Sequence, residues 1–127
     1  IELQKNYSED ACTIVVDDTK LKIAFLNIII NAVEAMDKET GILRIETRQM
    51  ENSCLIVISD NGKGISREKL RQIFDPFFTE KPGGSGLGLT TTQNVIHRHN
   101  GSIEVKSEPG TGTTFLVNLP VSQEVPV

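Results

Sequence analysis

Leu21, Phe25, Ile28, Ile29, Ala32 and Met36 recur at helical spacing until Gly41, which predicts an amphipathic helix capped by Asp18 or Thr19. Ile1 to Tyr7 alternates apolar and polar positions, and Thr13 to Val16 is a β-branched run, so both read as strands. Gly41 to Met50 and Cys54 to Ser59 read as a hairpin around the turn-like Glu51-Asn52-Ser53. Ser66 to Ile73 is expected as a short helix capped by Ser66, and Leu87 to His99 as a second long helix closed by Gly101. Ser102 to Lys106 and Thr113 to Leu119 make the last strands, joined by the turn Glu108-Pro109-Gly110. From Phe74 to Ser85 nothing is periodic, and Pro76, Pro82, Gly83 and Gly84 predict a mobile loop.

The first long helix carries a polar stripe as well as an apolar one. Asn27, Asn31, Glu34 and Lys38 follow at spacings of four, three and four, which places them on one narrow face. Such a stripe is ordinarily the solvated side of an amphipathic helix. Asparagine is a mediocre helix former, however, so a pair of them one turn apart calls for a reason. An amide carbonyl is a hard oxygen ligand suited to Mg²⁺, which binds through few protein groups plus substrate phosphates.

Two glycine-rich stretches follow that helix in order, Asp60-Asn61-Gly62-Lys63-Gly64-Ile65 and Gly84-Ser85-Gly86-Leu87-Gly88-Leu89. Asp60 ends the apolar strand Cys54-Leu55-Ile56-Val57-Ile58-Ser59, where its carboxylate can accept a hydrogen bond from the exocyclic amine that distinguishes adenine from guanine. Gly62 and Gly64 would let the backbone approach a flat ligand, although an ordinary Asp-Asn-Gly turn is the competing reading. A calcium loop is excluded, because Gly62 stands where that loop needs Asp or Asn. The second stretch opens a helix whose free N–H groups and positive dipole end suit a triphosphate. Leu89 stands where a P-loop needs lysine, and the G-x-G-x-G spacing is not the dinucleotide fingerprint. Helix and loops together describe one ATP pocket.

Composition narrows the picture without redirecting it. The 127 residues suit one domain, expected over 1–120 with a short tail at 121–127, burying roughly two thirds of the unfolded surface. A net charge of −4 and a pI of about 5.2 supply no basic surface on the scale a nucleic-acid partner demands. No stretch approaches the roughly 18 apolar residues of a membrane span, and the N-terminus lacks a signal-peptide pattern. Cys12 and Cys54 lack metal-ligand spacing, and buried free thiols in a reducing compartment are the default expectation, with a disulfide as the open alternative. The abrupt, strand-like start reads as a piece of a longer protein.

These residues carry a family resemblance. Asn27-Ile28-Ile29-Ile30-Asn31-Ala32 resembles the N box of the histidine-kinase catalytic domain, and Asp60 to Ile65 its first glycine box. Phe74-Asp75-Pro76-Phe77-Phe78 is similar to its F box, Gly84 to Leu89 to its second glycine box, and Gly112-Thr113-Thr114-Phe115 to its closing element. The resemblance runs in order from about Val16 to Pro120. It implies an α+β Bergerat ATP-binding fold, a two-layer sandwich with a mixed sheet packed on three helices and a lid between the F box and the last long helix. It further implies that Asn31 holds Mg²⁺, that Asp60 binds the adenine amine, and that Gly62 and Gly64 shape the adenine wall. Gly84, Gly86 and Gly88 would face the phosphates, Thr113 would support adenine through water, and Ile65 and Leu87 join the nucleotide contacts. Lys81 in the lid is the candidate phosphate cation, against the ordinary reading of a solvated loop lysine.

Related ATPases of the gyrase, MutL and heat-shock chaperone group carry a glutamate general base one turn before the magnesium asparagine. Here that position is Asn27, which cannot accept the proton, so the γ-phosphoryl group is expected to go to another acceptor. Glu34 lies one turn the other way. The resemblance implies an acceptor histidine on a separate dimerisation domain, with a response regulator downstream, a cytoplasmic location and no membrane contact by this chain. His97 and His99 do not supply that acceptor, and His99 beside Asn100-Gly101 reads as a helix-terminal residue facing the dipole's negative end. A degenerate regulatory nucleotide-binding module and an anti-sigma-factor-type serine kinase are the alternatives.

Overall fold

The computed structural model describes residues 1–7, 18–74 and 88–120. The expected strand at Thr13 to Val16, most of the loop from Phe74 to Ser85, Leu87 and the tail therefore lie outside the described residues. Within them the order is β1 (Glu2–Asn6), α1 (Asp18–Ala35), β2 (Ile42–Gln49), β3 (Ser53–Asp60), α2 (Arg67–Leu70), α3 (Gly88–Arg98), β4 (Ser102–Glu108) and β5 (Gly112–Pro120).

The strands form one five-stranded sheet in the order β1-β2-β3-β5-β4. Only β1 and β2 run parallel, and the remaining pairs are antiparallel, so the sheet is mixed. The apolar run Leu55 to Ile58 sits centrally between β2 and β5, as a near-continuous hydrophobic strand should. On β5 the odd-numbered Thr113, Phe115, Val117 and Leu119 are buried, which fixes the register, because a one-residue slip would turn them all outward.

α1 and α3 pack together over the sheet's inner face. Leu21, Ala24, Ile28 and Ala32 bury one stripe of α1, continued by Met36 just past its end, against Val95, Ile96, Ile58, Phe115, Val117 and Leu119. The Thr92 hydroxyl, fully buried on α3, donates to the Ala24 carbonyl at 3.3 Å and ties the two helices. At the start of α3 the Thr90 hydroxyl donates to the Phe74 carbonyl at 2.8 Å.

Four local expectations change. The short helix capped by Ser66 covers only Arg67–Leu70 and does not reach Ile73. α1 ends at Ala35, so Lys38 is not on its polar stripe. The cause is Asp37, whose Oδ1 accepts from the N–H groups of Glu39 (2.8 Å) and Thr40 (3.2 Å) and turns the chain before Gly41. At the end of α3 the left-handed residue is Asn100, φ 60°, not Gly101. Gly101 is needed for space, since a Cβ there would lie 2.5 Å from the Asn118 carbonyl oxygen. Cys54 is buried as expected but disulfide-bonded, so it is not a free thiol; Cys12, the other cysteine, lies outside the described residues.

Candidate nucleotide site

The pairing registers align Leu43, Asp60, Thr113 and Ser107 in one row across β2, β3, β5 and β4. Side chains opposite one another in adjacent strands point to the same face, so Asp60, Thr113 and Ser107 stand together at one end of the sheet. The Asp60 Oδ1 accepts from the Gly62 N–H at 2.8 Å, and the Thr113 backbone N–H also donates to this carboxyl. Burial pushes the Asp60 carboxyl above its ordinary value, outweighing both hydrogen bonds, which favour the ion. The result is a half-buried acceptor held in one orientation.

The loop after Asp60 is fastened on every side. Asn61 Oδ1 accepts from the Ile42 N–H at 2.8 Å, and its Nδ2 donates to the Thr40 carbonyl at 3.1 Å. The Lys63 N–H donates to the Ala35 carbonyl at 3.0 Å, and the Lys63 carbonyl accepts from Gly110 N–H at 2.7 Å. The Ile65 N–H donates to the Ser107 Oγ at 2.7 Å. Helix ends leave carbonyls without helical partners, and the Ala35 carbonyl finds its partner in this loop.

That fastening gives the loop's glycines a second explanation. A Cβ at Gly62 would lie 2.4 Å from the Ala35 carbonyl oxygen, and one at Gly64, which has φ +72°, would lie 2.1 Å from the Glu108 carbonyl oxygen. Both positions are closed to a side chain by the protein's own backbone, before any ligand is considered.

On α1, Asn27 and Asn31 are half-buried and Glu34 is exposed. Asn31 Nδ2 donates to the Asn27 carbonyl at 2.8 Å. With its amine end so engaged, the amide fixes its oxygen, the atom a hard cation would use. Among the described residues no group of three His, Cys, Asp or Glu is placed to hold a metal, so the fit to Mg²⁺ rests on the Asn31 amide oxygen.

The structure thus brings together Asp60, Gly62, Gly64, Ile65 and Thr113, and joins them through Ala35 to the helix bearing Asn27 and Asn31. Gly88 begins α3, an 11-residue helix with no acidic residue in its first turn. Lys81, Gly84, Gly86 and Leu87 lie outside the described residues. Asn61 and Ser107 are the site residues the motif reading passed over. Ser107 was detectable, because it is a polar residue at an inward position of the alternation Ile103, Val105, Ser107. His99 stands where expected, with Nδ1 2.8 Å from the Val95 carbonyl at the end of α3.

A mixed sheet covered by two long helices, with a buried acceptor at a strand end beside a glycine loop docked on an asparagine helix, defines a nucleotide-binding domain of the Bergerat type. Residues 16–123 match the family described as histidine kinase-, DNA gyrase B-, and HSP90-like ATPase. Sporulation kinase C of Bacillus subtilis (strain 168) is 39% identical over 125 residues, covering 98% of this chain and 29% of that protein. The signal transduction histidine-protein kinase AtoS of Escherichia coli (strain K12) is 47% identical over 109 residues, covering 85% of this chain and 18% of that one. Among solved structures, the mycobacterial sensor histidine kinase MprB superposes with a TM-score of 0.83 at 28% identity, over 94% of this chain and 80% of that one. The catalytic domain of histidine kinase ThkA does so with a TM-score of 0.83 at 28% identity, over 94% and 78%. The chain belongs to the histidine kinase-, gyrase B- and HSP90-like ATPase family, as an ATP-binding catalytic domain of the sensor histidine kinase type. It spans less than a third of the length of the curated relatives it matches. No helix among the described residues is long and apolar enough to cross a membrane.

Proposed function

We propose that this chain binds Mg-ATP and transfers the γ-phosphoryl group to a histidine on a separate dimerisation domain, from which a response regulator is supplied. Phosphoryl transfer asks mostly for positioning and charge neutralisation, and the described residues are suited to the first task. Asp60 accepts from the adenine amine, its orientation set by Gly62 and Thr113. Asn31 would hold Mg²⁺ through its amide oxygen, and the metal would offset charge on the phosphates when bound. The N-terminus of α3 favours the anionic end of the nucleotide. Gly84, Gly86, Gly88 and Leu87 complete the phosphate side in this reading, with Lys81 as the cation.

The observation that carries a kinase over an ATPase is Asn27. It stands one turn before Asn31, where water activation needs a carboxylate, and the nearest helical acid, Glu34, is exposed and on the other side of Asn31. Incubating the chain with radiolabelled ATP and a separately purified dimerisation domain of the parent should yield an acid-labile phosphohistidine on that domain, with none on this chain. Labelling of a serine, or ATP binding with no transfer at all, would shift the assignment to one of the two alternatives.

A further inference from the structure

Residues 63–71 hold four of the chain's 13 basic residues, Lys63, Arg67, Lys69 and Arg71, against one acid, Glu68. The rest of the chain carries nine bases and 16 acids, a net charge of −7. A short, strongly positive block is thus set in an otherwise acidic sequence. The structure holds this block at the border of the nucleotide site. At its start the Ile65 N–H donates to the Ser107 Oγ at 2.7 Å, and Ser107 pairs with Thr113, which pairs in turn with Asp60. Beyond its end the Phe74 carbonyl accepts from the Thr90 hydroxyl at 2.8 Å, in the first turn of α3. The segment 66–73 therefore runs from the proposed adenine end of the site to its proposed phosphate end. Within it the Ser66 Oγ accepts from the Lys69 N–H at 3.3 Å and Ile73 is buried, while Arg67, Lys69 and Arg71 are exposed. The backbone is fastened and the charges face solvent.

We infer that Arg67, Lys69 and Arg71 form a cationic rim that steers the polyphosphate of ATP into the site, a role that rests on the nucleotide-site reading above. A triphosphate is repelled by the net negative charge of the rest of the chain, so a locally positive border raises its concentration at the entrance. Steering needs no contact with the ligand. It acts over about a Debye length, roughly 10 Å at 0.1 M salt, and charges at the rim of a site change association more than dissociation.

Stopped-flow fluorescence on the 127-residue chain tests this, with methylanthraniloyl-labelled ATP and the equally labelled adenosine, which lacks phosphates, as probes. The rim variant Arg67→Gln/Lys69→Gln/Arg71→Gln is compared with Lys5→Gln/Arg48→Gln/Arg98→Gln, which removes three exposed charges from β1, β2 and the last turn of α3. At about 0.01 M salt, where the Debye length is roughly 30 Å, association of the ATP probe should fall about tenfold in the rim variant and stay near wild type in the comparison variant. Dissociation should not change in either. At about 1 M salt, where the Debye length is roughly 3 Å, the rim variant and the wild type should converge. The adenosine probe should associate equally with all three proteins. Equal association of the ATP probe with the two variants overturns the rim. A slowed adenosine probe, or a deficit that persists at high salt, overturns it as well, since both report damage to the site and not steering. Failure of the unmodified chain to bind the ATP probe at any salt overturns the nucleotide-site reading, and the rim with it.

Discussion

The Lys63 N–H donates to the Ala35 carbonyl at 3.0 Å, so the loop that follows Asp60 is docked on the last turn of the helix that carries Asn27 and Asn31. One hydrogen bond between backbones thereby sets the proposed adenine end of the site, at Asp60, against the proposed metal end, at Asn31. Displacing it should disturb both ends together.

Gly64→Ala should be more destabilising than Gly110→Ala. Both positions have positive φ, 72° and 82°, which costs a non-glycine residue roughly 1–2 kcal/mol. At Gly110 nothing lies within 4 Å of the added Cβ, so that cost stands alone. At Gly64 the Cβ meets the Glu108 carbonyl oxygen at 2.1 Å, adding an overpacking cost of about 1–3 kcal/mol. Urea unfolding of the two variants checks the order, and equal midpoints would contradict it.

Asp60→Asn should separate binding from stability. Loss of a charged acceptor for the adenine amine should weaken ATP by roughly 1.5–3 kcal/mol. The carboxyl's folded-state pKa is raised above 3.8 by burial, so the native state holds its proton more tightly than the unfolded chain does. Stability from this group is present at low pH and declines as pH rises through the raised value. The stability of Asp60→Asn relative to wild type should therefore increase between about pH 4 and pH 7. Unfolding curves across that range check it, and a slope of opposite sign would mean the hydrogen bonds from Gly62 and Thr113 outweigh burial.

Much of this was legible in the chain. The helical stripe Leu21, Phe25, Ile28, Ile29, Ala32 and Met36 named four buried residues and two, Phe25 and Ile29, that are partly buried against the same core, because burial on one face imposes the period. Asp60 was legible because it interrupts an apolar strand at its end. The glycines of the first box were legible as glycines but not for their cause. Their closest neighbours, Ala35 and Glu108, are 27 and 44 positions away in the chain, and no local pattern reports such a contact. The end of α1 was missed for a similar reason of competition. Asp37 can extend a helix or close a turn, and tertiary docking of Ala35 decides for the turn.

Asn31→Ala should remove phosphotransfer while leaving the fold intact. The lost Asn31–Asn27 hydrogen bond is worth about 0.5–1.5 kcal/mol, and alanine returns several tenths of a kcal/mol in helix propensity. The unfolding free energy should thus stay within about 1 kcal/mol of wild type. Mg²⁺-dependent enhancement of ATP binding should vanish. A variant that binds Mg-ATP normally would exclude Asn31 as the ligand.

Asn27→Glu tests the reaction type. The side chain at this position is half-buried on α1, one turn before Asn31, and an amide there cannot take a proton from water. A carboxylate can, and positioned general bases contribute roughly 10²–10⁴ in rate. An introduced base lacks tuning by its surroundings, so the expected rise in phosphate release is nearer to about tenfold. Transfer to the added dimerisation domain should fall in step, since water then competes for the same phosphoryl group. Phosphate release measured with and without that domain reads both changes at once. If the unmodified chain already releases phosphate rapidly and leaves no phosphohistidine on the domain, Asn27 is not what withholds water attack, and the chain acts as an ATPase.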